Sequence, residues 1–195
     1  MNLSSRFDEA LQYAAEIHKE QIRKGTEIPY LAHLLGAASI ALEYGASENE
    51  AIGALLHDAA EDAGGLARID DIRRRFGAAV AAIVEGCTDS VVVPKPPWRK
   101  RKEDYIAHLP SASPSVRLVS ASDKLHNARA ILADYRRHGE ALWSRFTGGR
   151  EGTLWYYRAL ADALLSAEKG PLVEELRRVV SEIERLSGKQ PPTKQ

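Results

Sequence analysis

Cysteine is almost missing from this chain: Cys87 is the single one among 195 residues. One thiol excludes an internal disulfide framework and suits a reducing compartment. An excess of charge is missing too, with 27 lysines and arginines against 27 aspartates and glutamates. That balance gives no global pull toward nucleic acid or an anionic membrane surface. No apolar run approaches the length of a bilayer span, and the opening MNLSSRFDEA lacks the basic-then-apolar pattern of a signal peptide. No internal repeat is visible. The expectation is a cytoplasmic protein of one domain, long enough for a sizeable core, with neither nucleic acid nor membrane as a partner.

Helical periodicity dominates what is there. Phe7, Leu11, Ala14, Ala15 and Ile17 form one apolar face, with Ser4 or Ser5 as its cap. Residues 21–29 (QIRKGTEIP) read as a basic loop, and Pro29 opens a helix that stops at Gly45. Ser47 and Glu50 have capping-box spacing and open a third helix, which carries the stretch ALLHDAAED and breaks at Gly64-Gly65. Shorter helices are expected over Ile69 to Phe76 and Ala78 to Gly86. Residues 89–97 read as irregular, because Val91 to Val93 have no partner strand in view. Helices follow over 98–109, Ser115 to Arg137, about 140–147, 151–168 and 171–187, and GKQPPTKQ reads as a disordered tail. The sum is an all-α, single-domain helical bundle over residues 1–188, with residues 189–195 as the tail.

The stretch ALLHDAAED concentrates chemistry. His57 and Asp58 precede Glu61 and Asp62 by one turn, behind Leu55 and Leu56. Carboxylates on a half-buried face need a cation or a hydrogen-bond partner. A divalent ion meets that need, and imidazole nitrogen with carboxylate oxygen suits Mn²⁺, Fe²⁺ or Zn²⁺ better than Ca²⁺. His33 in PYLAHLLGA and Asp123 in ASDKLHNARA are likewise polar residues in apolar helical settings. Drawn from three helices, His33, His57, Asp58 and Asp123 can form one metal centre in a bundle.

These stretches carry a resemblance. H…HD…D in this order is similar to the HD superfamily of metal-dependent phosphohydrolases. QIRKGTEIPYLAH, ALLHDAAED, RRRFGAAVAAIVEGCTD and SASDKLHNAR resemble the hydrolase domain of RelA/SpoT-type enzymes, and more closely the stand-alone small alarmone hydrolases. The similarity covers roughly residues 5–165. It implies an HD-type bundle that removes the 3′-pyrophosphate of (p)ppGpp, with Mn²⁺ held by His33, His57, Asp58 and Asp123. Fe²⁺ and Zn²⁺ share these ligand preferences.

The resemblance also implies roles around that centre. Glu61 and Asp62 match the family's catalytic acids, which handle the attacking water and its protons. Arg23 and Lys24 match its nucleotide-contacting loop. Asn127 matches a position on the sugar or phosphate side, its neighbour Lys124 can meet phosphate, as can Arg150, and Tyr156 or Tyr157 falls where small hydrolases place an aromatic residue near the base or ribose. The basic run 94–102 (PKPPWRKRK) reads first as a solvated face. Two departures stand out: the loop reads RKG, and Ala130 replaces a threonine common in relatives. They keep open a second substrate, namely (p)ppApp, a nucleoside monophosphate or NADPH, and a third reading as a nucleotide-binding module without turnover.

Overall fold

The computed structural model describes residues 2–62, 64–92 and 94–188; the expected tail at 189–195 lies outside them. Ten α-helices follow one another among the described residues, with no β-strand. They are α1 (Ser5–Ile17), α2 (Leu31–Glu43), α3 (Glu48–Leu56), α4 (Ala59–Asp62), α5 (Gly65–Phe76), α6 (Ala78–Cys87), α7 (Trp98–His108), α8 (Pro114–His138), α9 (Gly149–Ala167) and α10 (Pro171–Gly188). Short 3₁₀ turns at Leu109–Ser111 and Gly139–Arg145 join α7 to α8 and α8 to α9. No helix among the described residues is long and apolar enough to cross a membrane.

Local chemistry explains most boundaries. Ser4 accepts a hydrogen bond from the Arg6 amide at the start of α1. Ser47 and Glu50 close a reciprocal capping box at α3, with the Ser47 amide 2.7 Å from Glu50 Oε2. Ser113 caps α8, and Pro114 occupies the first turn, where a missing amide proton costs nothing. An isolated antiparallel bridge between Ile22 and Pro29 closes the basic loop ahead of α2.

Two boundaries differ from expectation. The third helix does not run through His57 and Asp58; it ends at Leu56 and resumes as α4 at Ala59. The His57 ring supplies a reason. Its Nδ1 lies 2.8 Å from the Ala54 carbonyl, which in an uninterrupted helix serves the Asp58 amide. The segment expected as a helix at 140–147 is instead a 3₁₀ turn that begins at Gly139, whose φ of +57° ends α8.

The core has two lobes that share α2 and α8. One lobe gathers Ala10, Ala14, Leu34, Ile52, Leu55, Leu56, Ile72, Val80 and Val119 from α1, α2, α3, α5, α6 and the start of α8. The other gathers Ile40, Leu109, Leu125, Leu160, Leu164 and Leu176, mainly from α8, α9 and α10. Fully burying each such leucine stabilises the fold by about 2 kcal/mol. Helix α8 is buried on almost every side from Val119 to Leu125, so the polar Asp123 lies at the seam of the two lobes.

Small residues set the close approaches. A Cβ on Gly53 would lie 2.6 Å from Ile83 Cγ2 and 3.2 Å from Ile83 Cβ, so α3 and α6 meet there without room for a methyl group. Gly53→Ala is therefore expected to destabilise the protein by about 1–3 kcal/mol, the usual cost of overpacking. Urea unfolding measures this, and an unchanged midpoint would show that α6 yields freely.

Candidate active site

Four donor atoms converge where α2, the α3–α4 break and α8 meet. His33 Nε2 lies 3.2 Å from Asp123 Oδ1 and 3.6 Å from Asp58 Oδ2. His57 Nε2 lies 2.9 Å from Asp58 Oδ2 and 3.5 Å from Asp123 Oδ1. The two Nε2 atoms are 3.3 Å apart, and both rings are buried. His33, His57 and Asp58 offer ligand atoms all within 4.8 Å of one another, and Asp123 Oδ1 faces both imidazoles.

The donor set fits a divalent cation. The Ala54 carbonyl takes the proton on His57 Nδ1, which leaves the Nε2 lone pair facing the carboxylates. Lone pairs and carboxylate oxygens packed this tightly need positive charge between them. Burial alone would disfavour a charged His57, yet Asp58 and Asp123 raise it well above its ordinary value. Both carboxyls are held well below theirs despite burial, Asp58 chiefly by His57 and Asp123 chiefly by Lys124. A metal ion bound here would supply that positive charge.

A surrounding set of donors fixes the carboxylates. The Tyr30 hydroxyl donates to Asp58 Oδ2 at 2.5 Å. Asn127 Nδ2 donates to Asp123 Oδ1 at 2.6 Å, and Lys124 Nζ to Asp123 Oδ2 at 2.5 Å. Such partners orient ligands and tune their basicity. Lys124 is thus committed to Asp123, where the sequence suggested a phosphate contact.

Glu61 stands one turn beyond Asp58, on α4. Burial raises its pKa, and neighbouring Asp89 adds to the effect, while Lys95 opposes it from 2.9 Å. Asp89 is gripped in turn by Arg101 at 2.5 Å and Lys102 at 2.7 Å, and these cations outweigh its burial to hold its pKa down. The basic run 94–102 is therefore more than a solvated face. Three of its cations organise the acids beside the cluster, a pairing visible only once α7 folds back over α4. Asp62 lies in α4, and its side chain is outside the described residues.

On the opposite side lies a cavity of about 180 Å³, lined by Arg23, Lys24, Asn127, Ala130, Phe146 and Tyr157 among others. Arg23 Nη2 donates to Asn127 Oδ1 at 3.0 Å, and its buried Nη1 has no hydrogen-bond partner among the described residues. Asn127 thereby joins the basic loop to Asp123. Gly25 explains the RKG loop: its φ is +73°, and a Cβ there would lie 2.8 Å from Arg145 Cδ. Arg145 is itself pinned to Asp134 at 3.2 Å on the cavity wall.

Two expected residues are placed elsewhere. Arg150 donates to the Ser187 carbonyl at the end of α10 and does not line this cavity. Tyr156 is buried against Trp98 and Tyr157, with Lys102 Nζ 5.0 Å from its ring centre, and Tyr157 is the tyrosine that reaches the cavity. Sequence reasoning missed Tyr30, Asp89, Lys95 and Arg101. The one available signal was the density of lysine and arginine in PKPPWRKRK opposite an acidic pair.

The family described as "HD domain" matches residues 10–154. The chain belongs to the HD-domain family. This HD protein is 40% identical over 126 residues to the Xenopus tropicalis guanosine-3′,5′-bis(diphosphate) 3′-pyrophosphohydrolase MESH1, covering 63% of this chain and 68% of that one. The human MESH1 is 38% identical over 127 residues, with the same coverage. An Aquifex aeolicus guanosine-3′,5′-bis(diphosphate) 3′-pyrophosphohydrolase is 35% identical over 125 residues, which span 63% of this chain and 17% of that longer one. A solved structure described as "A metazoan ortholog of SpoT hydrolyzes ppGpp and plays a role in starvation responses" superposes with a TM-score of 0.76. It is 26% identical, covering 96% of this chain and 98% of that one. The chain is an HD phosphohydrolase homologous to these enzymes.

Removing the Asp89 carboxylate takes the nearest counter-charge from two largely buried cations, Arg101 and Lys102, which are 14% and 18% exposed, and leaves Arg101 only the more distant Glu61 at 3.7 Å. Asp89→Ala is expected to destabilise the HD protein by about 3 kcal/mol, the usual penalty for breaking a buried pair from one side. Chemical denaturation measures it; a loss below about 0.5 kcal/mol, the range of neutral surface changes, would show that solvent already screens the cluster.

Proposed function

We propose that this protein is a metal-dependent (p)ppGpp 3′-pyrophosphohydrolase. Water attacks the phosphorus attached to the ribose 3′ oxygen, the 3′ O–P bond breaks, and GDP or GTP leaves with pyrophosphate. The observation that carries the chemistry is the convergence of His33, His57, Asp58 and Asp123 one turn before an acid with a raised pKa. The substrate reading is supported by likeness to guanosine-3′,5′-bis(diphosphate) 3′-pyrophosphohydrolases 38–40% identical over 63% of the chain.

His33 Nε2, His57 Nε2 and carboxylate oxygens of Asp58 and Asp123 would hold the ion, and Mn²⁺ is the metal we favour over Fe²⁺ and Zn²⁺. When bound, such an ion polarises a phosphoryl oxygen and lowers the pKa of a coordinated water. Glu61, with Asp62 beside it, accepts the proton of the attacking water. Lys95 holds the Glu61 carboxylate in place from 2.9 Å. A proton then passes to the departing ribose 3′ oxygen. Arg23 lines the cavity proposed for the nucleotide, where Phe146 and Tyr157 offer aromatic surface to the base. Lys24 lines the same cavity. Arg150 and Tyr156 drop out of the binding set, because their partners lie elsewhere.

A second reading, hydrolysis of a different nucleotide such as (p)ppApp, a nucleoside monophosphate or NADPH, is favoured by one observation. Ala130 lines the cavity and offers no hydrogen-bonding group to a base.

Metal-stripped protein incubated with ppGpp is expected to release GDP and pyrophosphate only when Mn²⁺ is restored, as read by anion-exchange chromatography. Asp58→Ala is expected to lower turnover at least about a thousandfold, in line with the several kcal/mol that a metal contributes to phosphoryl transfer. Turnover of another nucleotide alone would replace the alarmone and keep the metal chemistry.

The pH profile follows from Glu61. Its pKa lies above the usual carboxylate range, and the base acts when ionised, so the rate falls as pH drops through that raised value. Lys95 opposes the shift. Lys95→Met is therefore expected to move the acid limb of kcat/KM to higher pH; an unmoved limb would mean another group titrates there.

A further inference from the structure

We propose that His126 is a positioning residue for His33: its Nδ1 accepts the His33 Nδ1–H and so holds His33 in the tautomer that turns Nε2 toward Asp58 and Asp123. The inference rests on reading that cluster as a metal centre and adds a residue to which no role has been given.

The geometry is direct. His33 Nδ1 and His126 Nδ1 are 2.9 Å apart, a hydrogen-bond distance that needs one donor and one acceptor. His33 is 1% exposed, so solvent does not supply that partner. A histidine able to bind metal through Nε2 must carry its proton on Nδ1, and that proton then points at His126. His126 in turn must offer a bare Nδ1 and keep its own proton on Nε2.

The ring is also seated. Gly36 lies three residues after His33 on α2, on the same face. A Cβ at Gly36 would lie 2.1 Å from His126 Cδ2 and 2.2 Å from its Nε2. The His126 ring thus fills the place where any side chain at 36 would begin, and α8 carries it there three residues beyond Asp123. The two imidazoles of the cluster are therefore oriented by different means. His57 uses a backbone carbonyl of its own helix, and His33 uses a side chain from another helix. Outer partners of this kind typically govern 10–100-fold in metal affinity.

The test compares Mn²⁺ affinity, by competition with a chelator, and the visible absorption of the Co²⁺-loaded full chain across variants. His126→Phe keeps a ring and removes the acceptor; His126→Asn restores an acceptor near the Nδ1 position. Gly36→Ala leaves His126 in the chain and displaces its ring. We expect roughly 10–100-fold weaker Mn²⁺ binding and an altered Co²⁺ spectrum for His126→Phe and Gly36→Ala. His126→Asn should stay within about threefold of the parent, well short of that 10–100-fold loss. Equal affinity and one shared spectrum across all of them would overturn the proposal, as would an Asn variant no better than Phe. If the Phe variant does not fold, His126→Ala replaces it in the same comparison. A parent protein that binds Mn²⁺ without hydrolysing ppGpp would refute the substrate alone and leave this comparison decisive.

Discussion

Two imidazoles and two carboxylates share one buried seam between the lobes of the core, and no apolar packing can satisfy them. His33, His57, Asp58 and Asp123 come from α2, the α3–α4 break and α8, so the requirement for positive charge among them ties those elements to one another. The break itself belongs to this arrangement, because His57 turns its Nδ1 onto the helix backbone in order to aim Nε2 at the acids. Tyr30, Asn127 and Lys124 then hold the carboxylates from outside.

Polarity is divided across that seam. On the α4 and α7 side, Glu61 and Asp89 meet Lys95, Arg101 and Lys102 in a network of paired charge. Next to the cluster, Arg23, apolar Ala130 and the rings of Tyr30, Phe146 and Tyr157 line a cavity. Asn127 spans the two functions, since it receives Arg23 and donates to Asp123.

Much of this was legible in the sequence, for identifiable reasons. A histidine or aspartate in an apolar helical stretch is costly without a partner, which marks His33, His57, Asp58 and Asp123 as unusual, and the resemblance to the H…HD…D pattern is what joined them into one expected metal site. Caps at Ser4 and Ser47 and the apolar periodicity indicated the helix order, while the Ser113 cap of α8 emerged only in the structure. Arg150 and Tyr156 were harder, because basic and aromatic residues on an amphipathic helix do not reveal which face meets a ligand. The pairing of Lys95 and Arg101 with Glu61 and Asp89 depends on how α7 folds back, which no local pattern encodes. His126 escaped for the same reason, since its importance arises from Gly36 on a different helix.

The central claim is that one divalent ion belongs among these four residues. Crystals of the purified protein grown with Mn²⁺, with data collected near the manganese edge, test it most directly. The account predicts one strong anomalous peak about 2.1 Å from His33 Nε2, His57 Nε2 and oxygens of Asp58 and Asp123, the distance typical of such ligands. A peak on other residues, or fully bound protein with none at this seam, would contradict it.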